Sequence, residues 1–229
     1  MSARRLTGPN RSTAVIIPVK GENPKGRLSP LLGPAQRRQL QVAMLEDALQ
    51  TLIKAKMIRQ TFVVSSDAQI LEFVHRFGAS SIAEKEDSGV NAAVLRGLQA
   101  TSSYARRLVI PADLPLLAVE DLKAAPMLAR EGAQVVLSPS ESFDGTNMLL
   151  LTRGVGLPLH YDDDSFRKHF AGAVALGLRV AVYYSKSVGF DIDRPRDLHR
   201  FFKFQKRGNT LTFLGRTLRG APKARPPVR

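Results

Sequence analysis

The chain of 229 residues predicts an α/β fold with a mostly parallel central sheet, on three observations. Short β-branched apolar runs alternate with segments whose apolar residues recur every three or four positions. Those runs lack polar alternation, as strands covered by helices on both faces should. The strand-then-helix rhythm is sustained from residue 14 to residue 137, which calls for right-handed crossovers within one sheet.

The first strand is carried by Val15, Ile16, Ile17 and Val19. A loop containing Gly and Pro follows, with three cations, Lys20, Lys25 and Arg27. Pro34 suits the first turn of a helix, where its missing N–H costs nothing. Leu40, Met44, Leu45, Ala48, Leu49, Leu52 and Ile53 give that helix one apolar stripe to about residue 56. Residues 61–65 read as a second strand, and Asp67 as the N-cap of a helix through His75. A short strand over 80–83 precedes an acidic, Gly-containing stretch, 84–89. Next come a helix over 90–101 with Asn91 in its first turn, and a strand over 107–110 ending in Pro111-Ala112-Asp113-Leu114-Pro115. A helix over 119–130 and a strand over 134–137 complete the regular part. Beyond a polar loop, 138–146, lie an apolar segment 147–151, a helix 165–176 and a strand 179–184. Asp191-Ile192-Asp193 then leads into a last helix from Pro195. Residues 1–12 are expected to be a flexible leader, 13–205 a single domain, and 206–229 a basic tail, extended from Gly208 onward.

With 44% hydrophobic residues, the chain can bury a substantial core. The absence of cysteine excludes disulfides, thiolate metal sites and cysteine nucleophiles. Four scattered histidines argue against a histidine metal cluster. No apolar run approaches a membrane span or a signal core, so a cytoplasmic protein is expected. The net charge of +14 sits at the ends: eleven cations and no acid lie in 1–11 and 203–229. That leaves 23 basic against 20 acidic residues in between, a net of +3. Nearly neutral charge and few aromatics make nucleic acid an unfavoured partner for the body. The tails suit solubility or nonspecific polyanion binding, and removing 208–229 is expected to spare any small-molecule chemistry.

In an open parallel sheet, ligands bind beyond the carboxyl ends of the strands. The Lys20–Arg27 loop, Ser66-Asp67 and Asp113 all fall at such ends. A cationic, Gly-containing loop between strand and helix is suited to phosphate, although it matches neither a Walker loop nor G-x-G-x-x-G. Asp113 is framed by two prolines beyond an apolar strand, where a carboxylate needs a partner, a cap or a metal. Mg2+ is the natural metal, since it uses one or two carboxylates plus substrate phosphates. Asp191 and Asp193 alternate, and on extended backbone they share a face, so one of them can complete a site with Asp113. Asp197 reads as structural, in a helical first turn, and Asp162-Asp163-Asp164 as a solvated helix cap. Gly145-Thr146-Asn147 offers a hydroxyl, an amide and exposed backbone to an oxyanion.

The order of these pieces resembles one family. They are Ile17-Pro18-Val19-Lys20, Lys25-Gly26-Arg27-Leu28, Met44-Leu45-Glu46-Asp47, Asn91-Ala92-Ala93, Ile110 to Pro115, Gly145-Thr146-Asn147, Ser165-Phe166-Arg167-Lys168-His169 and Asp191-Ile192-Asp193. Together they resemble the guanylyltransferases of coenzyme F-420 biosynthesis, which join GTP to 2-phospho-L-lactate, phosphoenolpyruvate or 3-phospho-D-glycerate. The resemblance implies a Rossmann-like three-layer α/β/α nucleotidyltransferase fold. It also implies triphosphate binding by Lys20, Lys25 and Arg27, with Pro18, Ser66, Asn91 and Pro111 on the nucleotide side. Thr146, Asn147, Asp162 and Ser165 would receive the acceptor, and Asp113, Asp191 and Asp193 would serve Mg2+. The chain departs from the family at Gly26, where Ser is usual, and at Tyr161-Asp162, where Phe-Gly is usual. Two alternatives stay open: a nucleotidyltransferase of the same fold acting on a sugar phosphate or pterin, and a noncatalytic polyanion binder. Homodimerisation is left open.

Overall fold

The computed structural model describes residues 12–204 and 206–219, so the expected leader lies almost wholly outside the described residues. The strands are β1 (Thr13–Pro18), β2 (Thr61–Ser65), β3 (Ser80–Ala83), β4 (Arg106–Val109), β5 (Val135–Pro139), β6 (Thr146–Thr152) and β7 (Val180–Val182). The helices are α1 (Pro34–Lys54), α2 (Ala68–His75), α3 (Val90–Ala100), α4 (Val119–Arg130), α5 (Ser165–Ala175), α6 (Lys186–Gly189), α7 (Pro195–Phe201) and α8 (Asn209–Arg219).

All seven strands form one sheet in the order β3-β2-β1-β4-β6-β5-β7. Every pairing is parallel except those of β6, which runs antiparallel between β4 and β5. The expected α/β/α layering is present. Alternate residues of each strand enter opposite cores: Val15, Ile17 and Leu108 pack with α1, α2 and α4, while Ile16, Val109 and Leu149 pack with α3 and α5. This is the period-2 alternation of a sheet covered on both faces. Helix α3 lies so close to β1 that a Cβ on Gly97 would overlap the Ile16 side chain. Glycine there permits the approach.

The C-terminal segment differs from the extended tail read from sequence. Residues 209–219 form α8, which packs against α1. Asp47 of α1 caps it: Oδ1 accepts from the Asn209 N–H (2.8 Å), and Oδ2 from the Thr210 N–H (2.9 Å) and hydroxyl (2.7 Å). Leu214 is fully buried in a third apolar cluster with Leu28, Leu32, Leu40, Met44, Phe190, Ile192 and Leu198. Helix α8 thus joins the loop after β1 to the segment that carries Asp191 and Asp193. The physical reason is nonlocal, since a carboxylate 162 residues upstream supplies the cap that the local sequence lacks.

Candidate active site

The loop leaving β1 is held in an unusual conformation. Asn23 (φ 39°) and Lys25 (φ 55°, ψ 41°) are both left-handed, a strained region for residues with a Cβ. Arg37, on the first turn of α1, holds them there. Its Nε donates to the Pro24 carbonyl (3.1 Å), Nη1 to the Leu32 carbonyl (3.1 Å) and Nη2 to Asn23 Oδ1 (2.5 Å). Gln41, one turn on, donates from Nε2 to the Lys20 carbonyl (2.9 Å). Arg37 is only 6% exposed and forms no ion pair among the described residues, so a full positive charge lies beneath the loop. Gly26 opens a short 3-10 turn, and a side chain there would meet only Asn23 Nδ2, at 3.9 Å. Sterics do not demand glycine at that position.

This conformation carries Lys25 onto the carboxylates at the end of β4. Lys25 Nζ lies 2.5 Å from Asp113 Oδ2 and 4.0 Å from Asp193 Oδ1. Arg27 Nη1 lies 2.5 Å from Asp193 Oδ2. The Ile192 N–H donates to the Asp113 carbonyl (3.2 Å), which lays the 191–193 segment alongside the β4 end. Lys25, Arg27, Asp113, Asp191 and Asp193 are therefore brought together, as the sequence motifs implied. Asp197 accepts the N–H groups of Asp193 and Arg194 (3.2 and 2.7 Å) and is structural, as expected.

The cluster has more negative than positive charge. Burial, and next the charge of Asp113, push the Asp191 carboxyl up to about 7, while Lys25 and a hydrogen bond from Asn147 oppose the shift. Asp113 Oδ1 is buried without a hydrogen-bond partner. An unpartnered carboxylate oxygen beside a second carboxylate that resists ionising suits a divalent cation. Among the described residues, no three His, Asp or Glu groups form a ready cage.

Two cavities meet at Val90, and the cluster lies at the larger of them. The larger, about 490 Å³, is lined by Arg27, Pro111, Asp113, Thr146, Asn147, Asp162, Ser165, Asp191 and Asp193. The smaller, about 370 Å³, lies over the end of β1 and is lined by Pro18, Lys20, Glu84 and Asp87 among others. Ser66 and Asn91, read as lining the nucleotide side, face neither cavity. Ser66 packs against Gly21, and a Cβ on that glycine would collide with its hydroxyl. Asn91 accepts from the Tyr161 N–H (2.8 Å) and donates to Asp162 Oδ2 (2.9 Å), holding the 161–162 loop against α3. Asp164 occupies the N-cap position of α5, but its side chain makes no capping hydrogen bond.

The floor of the larger cavity is a buried polar network. The Thr146 N–H donates to Ser165 Oγ (2.7 Å), and Thr146 Oγ1 lies 2.9 Å from His169 Nδ1. His169 Nε2 accepts the His160 N–H (2.9 Å), so the ring proton sits on Nδ1 and is donated to Thr146. Burial, aided by His160, lowers the His169 pKa to about 4, which keeps the ring neutral. Asn147 is fixed by donating to the Val188 carbonyl (2.8 Å). These residues are braced by their own contacts and form a rigid wall.

The family model described as Guanylyl transferase CofC like matches residues 13–219. This chain belongs to the CofC-like guanylyl transferases. It is a nucleotidyltransferase enzyme within the coenzyme F-420 guanylyltransferase group. It is 36% identical over 192 residues to the phosphoenolpyruvate guanylyltransferase of Rubrobacter xylanophilus, covering 82% of this chain and 93% of that one. It is 32% identical to the 2-phospho-L-lactate guanylyltransferase of Methanothermobacter thermautotrophicus, covering 81% and 82%. It is also 32% identical to the 3-phospho-D-glycerate guanylyltransferase of Phenylobacterium zucineum, covering 80% and 86%. Among solved structures, a proposed nucleotide-diphospho-sugar transferase from Desulfovibrio desulfuricans G20 matches with a TM-score of 0.72. It has 16% identity, with 90% of this chain and 95% of that one covered. A cytidylyltransferase from Leptospira borgpetersenii gives 0.58 at 12% identity, covering 92% and 95%. These structures share the fold. No described helix of this CofC-like chain is long and apolar enough to cross a membrane.

Three features of this CofC-like site escaped the sequence. Arg37 looks like any charge on a helix surface, and only its bonds to Asn23 and to the Pro24 and Leu32 carbonyls reveal it. Glu84 and Asp87 lie in a stretch that reads as a polar loop. Helix α8 is concealed by Gly208 and by its own basic charge.

Proposed function

We propose that this CofC-like chain transfers GMP from GTP to a phosphorylated three-carbon acid, releasing pyrophosphate, as a step of coenzyme F-420 biosynthesis. The acceptor class is that named for its relatives: phosphoenolpyruvate, 2-phospho-L-lactate or 3-phospho-D-glycerate. The observation that carries the reading is the gathering of Lys25, Arg27, Asp113 and Asp191 at the larger cavity, which adjoins the smaller one at Val90. A phosphate oxygen of the acceptor attacks the α-phosphorus of GTP, and the bond from that phosphorus to the bridging oxygen breaks. Lys20, Lys25 and Arg27 neutralise the triphosphate and the departing pyrophosphate. Asp113 and Asp191 would hold Mg2+, which would offset the phosphate charges and orient attacking and leaving oxygens. Asp193, engaged by Arg27, ties the phosphate loop to that pair. Thr146, Asn147 and Ser165 shape the acceptor side, and Asn91 holds the Asp162 carboxylate at its rim. No general base is required, because the attacking phosphate is already ionised, and the transfer relies on positioning and charge.

The test is pyrophosphate release by purified protein with GTP, Mg2+ and each of the three acids, with the product identified by mass. A guanylylated acid is the expected product. Release only with a sugar phosphate or a pterin would replace the acceptor class, and no release from any pairing would overturn the reading.

A further inference from the structure

We propose that Glu84 reads the base: its carboxylate accepts the N1–H and N2–H of guanine inside the smaller cavity, selecting guanine over hypoxanthine and adenine. This rests on the reading of the chain as a GTP user, and adds a residue that determines which nucleotide enters.

The smaller cavity has apolar walls from Pro18, Val19, Val90 and Ala93, suited to the faces of a planar base. Lys20 also lines it, so the phosphates of a seated nucleotide would lie toward the cationic loop. Three carboxylates reach the cavity, and two are accounted for. Asp87 closes the loops around it, with Oδ2 accepting the Glu22 N–H (3.3 Å) and Oδ1 the Gly89 N–H (3.2 Å). Glu22 is exposed. Glu84 is half-buried, and its carboxylate has no hydrogen bond among the described residues. It is firmly placed: it immediately follows β3, and its N–H donates to the Ser65 carbonyl (2.9 Å). Burial raises the pKa of its carboxyl, helped by the charge of Asp87, while Arg96, anchored on the Ala83 carbonyl (2.7 Å), opposes that rise.

The chemistry of the bases supplies the selectivity. Guanine presents two adjacent donors, N1–H and the 2-amino group, which match the two oxygens of a carboxylate. Hypoxanthine lacks the second donor. Adenine places an acceptor at N1, where it would face the carboxylate directly. A site built to hydrogen-bond a group rejects the analogue that lacks it.

The experiment measures dissociation constants of GTP, inosine triphosphate and ATP by calorimetry for the wild type and Glu84→Gln, with thermal melting as a folding control. The wild type is expected to favour GTP over inosine triphosphate by about tenfold or more, the worth of one hydrogen bond to a charged group. Glu84→Gln is expected to bind GTP at least about tenfold more weakly and to lose most of that preference. Equal wild-type affinity for GTP and inosine triphosphate would overturn the inference, as would an unchanged preference in the folded variant. Selective GTP binding that depends on Glu84, without pyrophosphate release on any acid, would instead sink the proposed acceptor and leave this assignment standing.

Discussion

At Asp113 one carboxylate oxygen meets Lys25 and the other is buried without a partner, which is the oxygen the proposed Mg2+ would take. Asp113→Asn keeps the shape and removes the charge. It is expected to fold normally and to lose pyrophosphate release by on the order of 100-fold, the scale set by removing one preorganised electrostatic group. Near-normal release would refute the metal assignment. Arg37 offers a separate test. Lysine keeps its charge, but cannot serve the Pro24 carbonyl, the Leu32 carbonyl and Asn23 Oδ1 from one planar fork. Arg37→Lys is therefore expected to raise the KM for GTP about tenfold while leaving the KM for the acid unchanged. A variant with wild-type KM for GTP would show that the left-handed Lys25 needs no such support. That the loop of Lys25 and Arg27 would meet the segments of Asp113 and Asp193 was legible in the sequence, because an open parallel sheet gathers the loops beyond the carboxyl ends of its strands. Arg37 and Glu84 were not, since burial of a helix arginine and exposure of a carboxylate to a cavity are properties of packing. Asn91 was legible as a special residue, but its bonds to the 161–162 loop were not, since they join positions about 70 residues apart.

At the scale of elements, α8 is the clearest departure from what local sequence predicts. Its cap comes from Asp47 and its anchor from Leu214, both reached only after the chain has folded. Leu214→Ala removes a fully buried side chain from the cluster shared with Leu28 and Ile192. It is expected to cost about 2–5 kcal/mol in denaturant unfolding. Truncation after Lys206 is expected to reduce pyrophosphate release as well as stability, because Leu28 follows the phosphate loop and Ile192 sits between Asp191 and Asp193. This reverses the sequence-based expectation that residues 208–229 can be removed without harm to the chemistry. Full activity in the truncated protein would show that α8 is only a covering. The strands and crossover helices, by contrast, were legible from periodicity alone, since each alternating apolar residue has a core to enter on its own face. The antiparallel direction of β6 was not, because apolar pattern is indifferent to strand sense.

His169 makes one pH-dependent contribution to stability, opposed over much of the same window by Asp191, whose raised pKa makes the folded chain the better proton binder there. The His169 pKa falls from an ordinary 6.5 to about 4 on burial, so at this site the unfolded chain binds the proton more readily than the folded one. The stabilisation is fully present above pH 6.5 and is lost as pH falls toward 4, a change of about 3 kcal/mol over that window. Protonation would also set a new N–H on Nε2 against the His160 N–H that it now accepts. His169→Gln is expected to be less stable at neutral pH, and to lose less stability than the wild type between pH 6.5 and 4.5. Parallel curves for the two proteins would exclude the histidine as the cause. The strand order has a further consequence, in the order of synthesis. Strands β3, β2, β1 and β4 are neighbours in the sheet and are all made within the first 109 residues. The half of the sheet that carries the smaller cavity is thus synthesised before β5, β6 and β7. Until β6 arrives, β4 is an open edge with unpaired N–H and C=O groups, the kind of template that recruits stray strands. Slowing translation between residues 110 and 146 should therefore favour aggregation, with β4 as the seed.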